Sequence, residues 1–283
     1  MGLTKIDAIK SFRHLQFVNL SSNHLDLESL QAVTHLPYLL LIHADKNELN
    51  SAALKKSKYL QVMILNNNNI TSVHDVYQPE LCTLEVGFNK IQKLAFDGKM
   101  PHLRCLDFRH NLIQNILDVN FPNLEYLYLA GNKITSLVGL AILVKLKFLH
   151  VRNNPIKFLD GFDAGLKNLE YINLRNCKVS TLRQIKKLKV LPALETLVIK
   201  GCPYMGGTGE EDAEVAQEEE DPELRVEVLA TLPGLKRLNK LVVSSEERNE
   251  ARDLMMQWLE DGEKDDEEEI DEELNAEEFH TED

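Results

Sequence analysis

Apolar residues recur along this chain in a fixed frame: two aliphatic positions three apart, a third two further on, an asparagine or cysteine three beyond that, and a last aliphatic two later. The frame is filled nine times, from Leu15, Val18, Leu20, Asn23 and Leu25 to Leu194, Leu197, Ile199 and Cys202. Its polar marker falls at Asn23, Asn47, Asn68, Asn89, Asn111, Asn132, Asn154, Cys177 and Cys202, at intervals of 21 to 25 residues. Alternation of apolar and variable places has the period of an extended strand, so each unit predicts one short strand. A unit this small cannot cover its own apolar face; consecutive units must stack and share a core. The marker sits where the chain leaves the strand, and a buried carboxamide there offers both donor and acceptor to backbone groups. Cysteine can fill the same slot because it is small, weakly polar and readily buried.

The frame, L-x-x-L-x-L-x-x-(N/C)-x-(L/I/V), is the leucine-rich repeat signature. The expected fold is an α/β leucine-rich repeat solenoid with a parallel concave β-sheet, short 3₁₀ or irregular convex segments, and a C-terminal helical cap. After the markers, apolar residues continue in threes (Ile70, Val73, Val76; Ile134, Leu137, Leu140; Ile156, Leu159, Phe162), a spacing that suits 3₁₀ turns. Only the longer eighth unit, over 180–191, has room for about two helical turns before Pro192. Four regions result: repeats over 1–204, an acidic glycine-containing loop over 205–221, a cap with a final helix over 222–259, and an acidic disordered tail over 260–283. Residues 3–14 read as the back half of a repeat with no strand before it, so the first apolar edge needs a cover. In the cap, Asp221 and Pro222 start a helix over 223–231, and Leu235, Leu238 and Leu241 make a last half-strand. Ser244 with Glu247 forms a capping box for a helix over about 245–260, whose Ala251, Leu254, Met255, Trp258 and Leu259 share one face. Docking of that face on the cap is the simpler expectation; exposure to a partner is the other.

Charge changes the picture. The formal net charge is −13. Segment 205–223 holds nine acidic and no basic residues, and 260–283 holds fifteen acidic residues against Lys264. These segments carry −9 and −14, which leaves +10 on the remainder. Such like-charged runs cannot bury enough surface to offset chain entropy, so disorder is expected. No stretch approaches 18 uncharged apolar residues, so no membrane span is expected, and Met1 to Ile6 show neither a signal-peptide run nor a myristoylation motif. Cys82, Cys105, Cys177 and Cys202 lack zinc-type spacing and read as reduced thiols of a cytoplasmic protein.

Candidate chemistry is sparse. Nine histidines are scattered singly; His43 and His150, placed on concave strands, lie five repeats apart and cannot share a ligand. No nucleophile elbow, zincin, Walker or dinucleotide fingerprint occurs. The cluster Gly206, Gly207, Gly209 is followed by acids and lacks a phosphate-binding lysine. No enzyme activity, cofactor, metal or small-molecule substrate is expected. The informative places are the third, fifth and seventh of the frame, which face the concave surface. The third runs Phe17, Leu41, Val62, Thr83, Cys105, Tyr126, Phe148, Tyr171, Thr196; the seventh runs Ser21, Asp45, Asn66, Gly87, Arg109, Ala130, Arg152, Arg175, Lys200. Aromatic and arginine side chains dominate protein interfaces, so Arg109, Tyr126, Tyr128, Phe148, Arg152, Tyr171 and Arg175 form the candidate partner-binding face. For Phe17, Leu41, Val62 and Ile64, strand propensity accounts for the residues equally well. A nucleic-acid surface would need denser Lys and Arg and would compete with the tethered acids. An acidic or mixed protein partner, or the chain's own tail, suits the face better.

The run from His14 to Leu25, with Asn123 to Asn132 and Asn168 to Arg175, resembles the leucine-rich repeat-containing protein 23 family. Leu232-Pro233 and Glu246 to Ala251 extend the similarity through the cap, from about residue 9 to 257. This resemblance implies a non-enzymatic scaffold of the radial spoke in the axoneme of motile cilia and sperm flagella, with other spoke and axonemal proteins as partners. Members of that family carry a long acidic N-terminal extension with no counterpart here, and the insert at 205–221 is enlarged. Two other classes share parts of the pattern: a phosphatase 1 regulatory subunit built of 22-residue repeats, and an acidic nuclear, histone-binding chaperone.

Overall fold

A computed structural model of the protein describes residues 2–211 and 220–262. Residues 212–219 of the expected acidic loop and 263–283 of the expected disordered tail therefore lie outside the described residues. Nine three-residue strands run parallel: β1 (Phe17–Asn19), β2 (Leu41–His43), β3 (Val62–Ile64), β4 (Thr83–Glu85), β5 (Cys105–Asp107), β6 (Tyr126–Tyr128), β7 (Phe148–His150), β8 (Tyr171–Asn173) and β9 (Thr196–Val198). β10 (Arg237–Leu238) continues them in parallel and β11 (Leu241–Val242) closes the sheet antiparallel. Sheet order follows chain order throughout. The expected single half-strand of Leu235, Leu238 and Leu241 is thus a tight hairpin: Leu238 is buried but Leu241 is 58% exposed. Asn239 and Lys240 turn the chain with positive φ, at 49° and 73°, and so reverse its direction before Leu241 can reach the core.

Register is one-to-one. Val18, Ile42, Met63, Leu84, Leu106, Leu127, Leu149, Ile172 and Leu197 pair across the strands and form a buried row. A one-residue slip would turn this row outward, so burial pins the register. The marker asparagines hold successive units together. Ile113 N–H donates to Asn132 Oδ1 at 3.0 Å, while Asn132 Nδ2 donates to Phe108 O and Leu129 O, both at 2.9 Å. Asn47, Asn68, Asn89, Asn111 and Asn154 repeat the pattern. Cys177 and Cys202 keep only the donated bond to the preceding unit, at 3.3 Å to Val151 O and 3.1 Å to Leu174 O. The residue before each marker is left-handed: Ser22, Lys46, Asn67, Phe88, His110, Gly131, Asn153, Asn176 and Gly201 all have φ between 53° and 82°. At Gly201 a Cβ would lie 2.0 Å from Asn176 Oδ1, so glycine is required there.

The convex side is mostly irregular. A 3₁₀ turn follows Ile134 at Leu140–Ile142, whereas the segments after Ile70 and Ile156 are plain turns. The eighth unit forms α2 (Leu182–Lys186) and a 3₁₀ turn over Lys187–Val190; the first unit likewise forms α1 (Leu27–Leu30) and a 3₁₀ turn over Gln31–His35. That first helix was not read from the sequence. Asp26 caps it by accepting from Ser29 N–H at 2.8 Å. In the cap, α3 (Pro222–Thr231) starts at Asp221, and α4 (Ser245–Asp261) starts in the expected Ser244–Glu247 box. Arg225, almost wholly buried, joins the parts: it pairs with Glu247 of α4, with Glu220 at 3.2 Å, and donates to Leu238 O at 2.9 Å.

Candidate protein-binding face

Pairing of the strands sets Tyr126, Phe148 and Tyr171 in one row and Tyr128 and His150 in the next. Strands lie about 4.8 Å apart, close to the separation at which aromatic rings stack favourably. Tyr126 and Phe148 centroids are 5.2 Å apart, Phe148 and Tyr171 5.5 Å, Tyr128 and His150 4.8 Å, and His150 and Tyr171 4.8 Å. Five rings thus form one continuous, half-buried floor on three adjacent strands. His150 was not among the candidate binding residues; its fifth-place position in the frame was the available signal. Burial pushes its imidazole down from 6.5 to about 4, helped by the positive charges of Arg109 and Arg152, against an opposing pull from Asp107. The floor is therefore uncharged near neutral pH.

The three arginines are not equivalent. Arg109 is held by Asp107 through Nε at 3.0 and 2.9 Å and through Nη2 at 2.6 Å, and its guanidinium lies 5.8 Å from the Tyr128 ring centre. It neutralises a buried carboxylate and flanks the floor. Arg152 and Arg175 have no ion-pair partner among the described residues, and Ala130 between Arg109 and Arg152 leaves that stretch of the wall low. The opposite edge carries a chain of charges in which Glu125 accepts from Arg104 at 2.6 Å and Lys147 at 2.9 Å. Lys147 first, then Arg104, holds the Glu125 carboxyl below its ordinary value.

The N-terminal half of the face differs. Asn66 links Asp45 and Glu85, taking 2.7 Å from its N–H to Asp45 Oδ1 and 3.2 Å from Nδ2 to Glu85 Oε2, and it accepts from Gly87 N–H at 2.7 Å. These polar groups satisfy one another, so the stacked aromatic floor with its flanking arginines belongs to the β6, β7 and β8 units, while Phe17 on β1 is exposed at the far end of the face. Burial, with Glu85 and Asp107 nearby, pushes the Cys105 thiol up to about 12, which disfavours the reactive thiolate. Among the described residues no group of three or more His, Cys, Asp or Glu is placed to hold a metal ion, and no helix is long and apolar enough to cross a membrane.

This stacked sheet with its asparagine ladder defines a leucine-rich repeat protein. Profiles described as "Leucine Rich repeats (2 copies)" and "Leucine Rich repeat" match residues 122–164 and 13–33. Among solved structures, an internalin of Listeria monocytogenes aligns at 18% identity and TM-score 0.53 over 84% of this chain and 77% of its own. A leucine-rich repeat protein of Leptospira interrogans aligns at 20% identity and TM-score 0.53 over 83% of this chain and 63% of its own. Both show the fold alone. Leucine-rich repeat-containing protein 23 of Bos taurus is 35% identical over 89% of this chain and 70% of its own length, and that of Homo sapiens is 36% identical over 91% and 71%. The chain belongs to the leucine-rich repeat-containing protein 23 family. Membership and fold together make it a protein-interaction scaffold.

Proposed function

We propose that this scaffold works in the axoneme of a cilium or flagellum, as a component of the radial spoke, and grips an axonemal protein on its concave face. The observation that supports the face is the five-ring floor bordered by Arg152 and Arg175. A partner that suits it presents apolar side chains to Tyr126, Phe148 and Tyr171 and carboxylates to the two guanidinium groups, which bond carboxylates in a fork. Arg109 shapes the wall and Tyr128 extends the floor. Family membership supports the axonemal setting.

The test has two arms. Tagged full-length chain should co-sediment with isolated axonemes, and Arg152→Glu with Arg175→Glu should lower that retention about tenfold or more at unchanged melting temperature. A soluble or chromatin-bound wild-type chain would defeat the axonemal reading. Undiminished retention of the double variant would defeat the face.

A further inference from the structure

The second helix of the cap docks on the core through Ala251, Leu254, Met255 and Trp258, as the simpler expectation had it, and only its last turn stands clear. At its start, the Ser244–Glu247 box closes, Glu247 meets Arg225, and Arg248 donates to Leu235 O at 3.1 Å. Ala251 is buried one turn later. Beyond it the apolar face continues, but Trp258 is only half-buried and Leu259 is 72% exposed. Between this end of α4 and the convex side of the last repeat lies a groove of about 930 Å³. Leu188, Leu191 and Leu232 belong to its floor, Trp258 and Leu259 form one wall, and Arg183, Lys186 and Lys189 line the facing wall. Glu195, Glu227 and Asp261 also line it.

We propose that this groove receives the chain's own C-terminal segment, residues 263–283. Three observations point there. The described chain ends at Gly262, itself part of the groove lining, so the segment leaves from inside the site. It carries thirteen acidic residues against Lys264, which complements Arg183, Lys186 and Lys189, whereas the lining carboxylates Glu195 and Glu227 are already engaged by Lys236 and by the Tyr204 hydroxyl. Within that run Ile270 and Leu274 stand four residues apart, a spacing that puts two aliphatic side chains on one side of a helical turn. Eight residues from Gly262 to Ile270 reach at most about 27 Å, and so short a tether gives a millimolar effective concentration.

Trp258 is the chain's single tryptophan, so its fluorescence reports the groove alone. The full-length chain is compared with the full-length Ile270→Ser, Leu274→Ser variant, whose substitutions lie outside the described residues. Acrylamide quenching of Trp258 should rise about twofold in the variant, with a red-shifted emission, since its cover is lost. Arg183→Glu, Lys186→Glu, Lys189→Glu in the full chain should do the same, and added peptide 263–283 should reverse the double variant's change saturably. Equal quenching in wild type and the Ile270, Leu274 variant would overturn the proposal. So would wild-type shielding that disappears on dilution, which would assign the groove to a second copy. Neither result bears on the concave face.

Discussion

Asn132 shows what a single side chain contributes to a stacked fold. It fills one donor and two acceptor backbone groups across two units, none of them near water. Asn132→Ala orphans all three and should cost about 2–4 kcal/mol in urea unfolding. Asn132→Cys should cost less, because the thiol can still donate one bond as Cys177 and Cys202 do. His150 supplies a pH signature. Its folded-state value near 4 lies below the ordinary 6.5, so between these pH values the unfolded chain binds the extra proton. Stability should therefore fall as pH drops from 6.5 toward 4, and His150→Gln should flatten that slope in a series of denaturant melts. The marker asparagines were legible because their period is regular. The neutrality of His150 was not, because it depends on burial and on arginines from neighbouring strands.

At the scale of elements, the cap depends on Arg225 more than on any propensity. A buried guanidinium shared by Glu220, Glu247 and Leu238 O fixes α3, β10 and α4 to one another. Arg225→Ala leaves two carboxylates and a carbonyl without their partner and should destabilise the cap by about 3–5 kcal/mol, seen as loss of amide protection in α4. Burial works to raise the Glu247 carboxyl, but the bonds from Arg225 and Ser244 outweigh it and hold it below the ordinary 4.5. The stability this gives is present above 4.5 and lost as pH falls through the lowered value, so amide exchange in α4 should quicken in acid before that of the central repeats. Both cap helices could be located from Asp221-Pro222 and Ser244–Glu247, whose capping chemistry is local. Arg225 gave no such signal: its partners lie 5, 13 and 22 residues away and meet only when the cap folds.

For the whole molecule, stacking makes stability a sum over units and their shared faces. β1 has a neighbour on one side only, and Phe17 is 65% exposed, whereas β5 and β6 are flanked by several units on both sides. Native-state hydrogen exchange should therefore show β1 and β2 opening first and the centre exchanging only on global unfolding. The amino-acid sequence by itself determined the solenoid, the buried row, the concave row of Tyr126, Phe148 and Tyr171, and the ladder of markers. All of these follow from a short-range period repeated at near-constant length, which forces equivalent residues into register. Tertiary structure alone decided that Arg109 is bound by Asp107 while Arg152 and Arg175 lack an ion-pair partner among the described residues, that His150 joins the aromatic floor, and that the end of α4 overhangs a groove. Those outcomes turn on which side chains from different units compete for the same neighbour, a matter of distances across the stack that no spacing along the chain encodes.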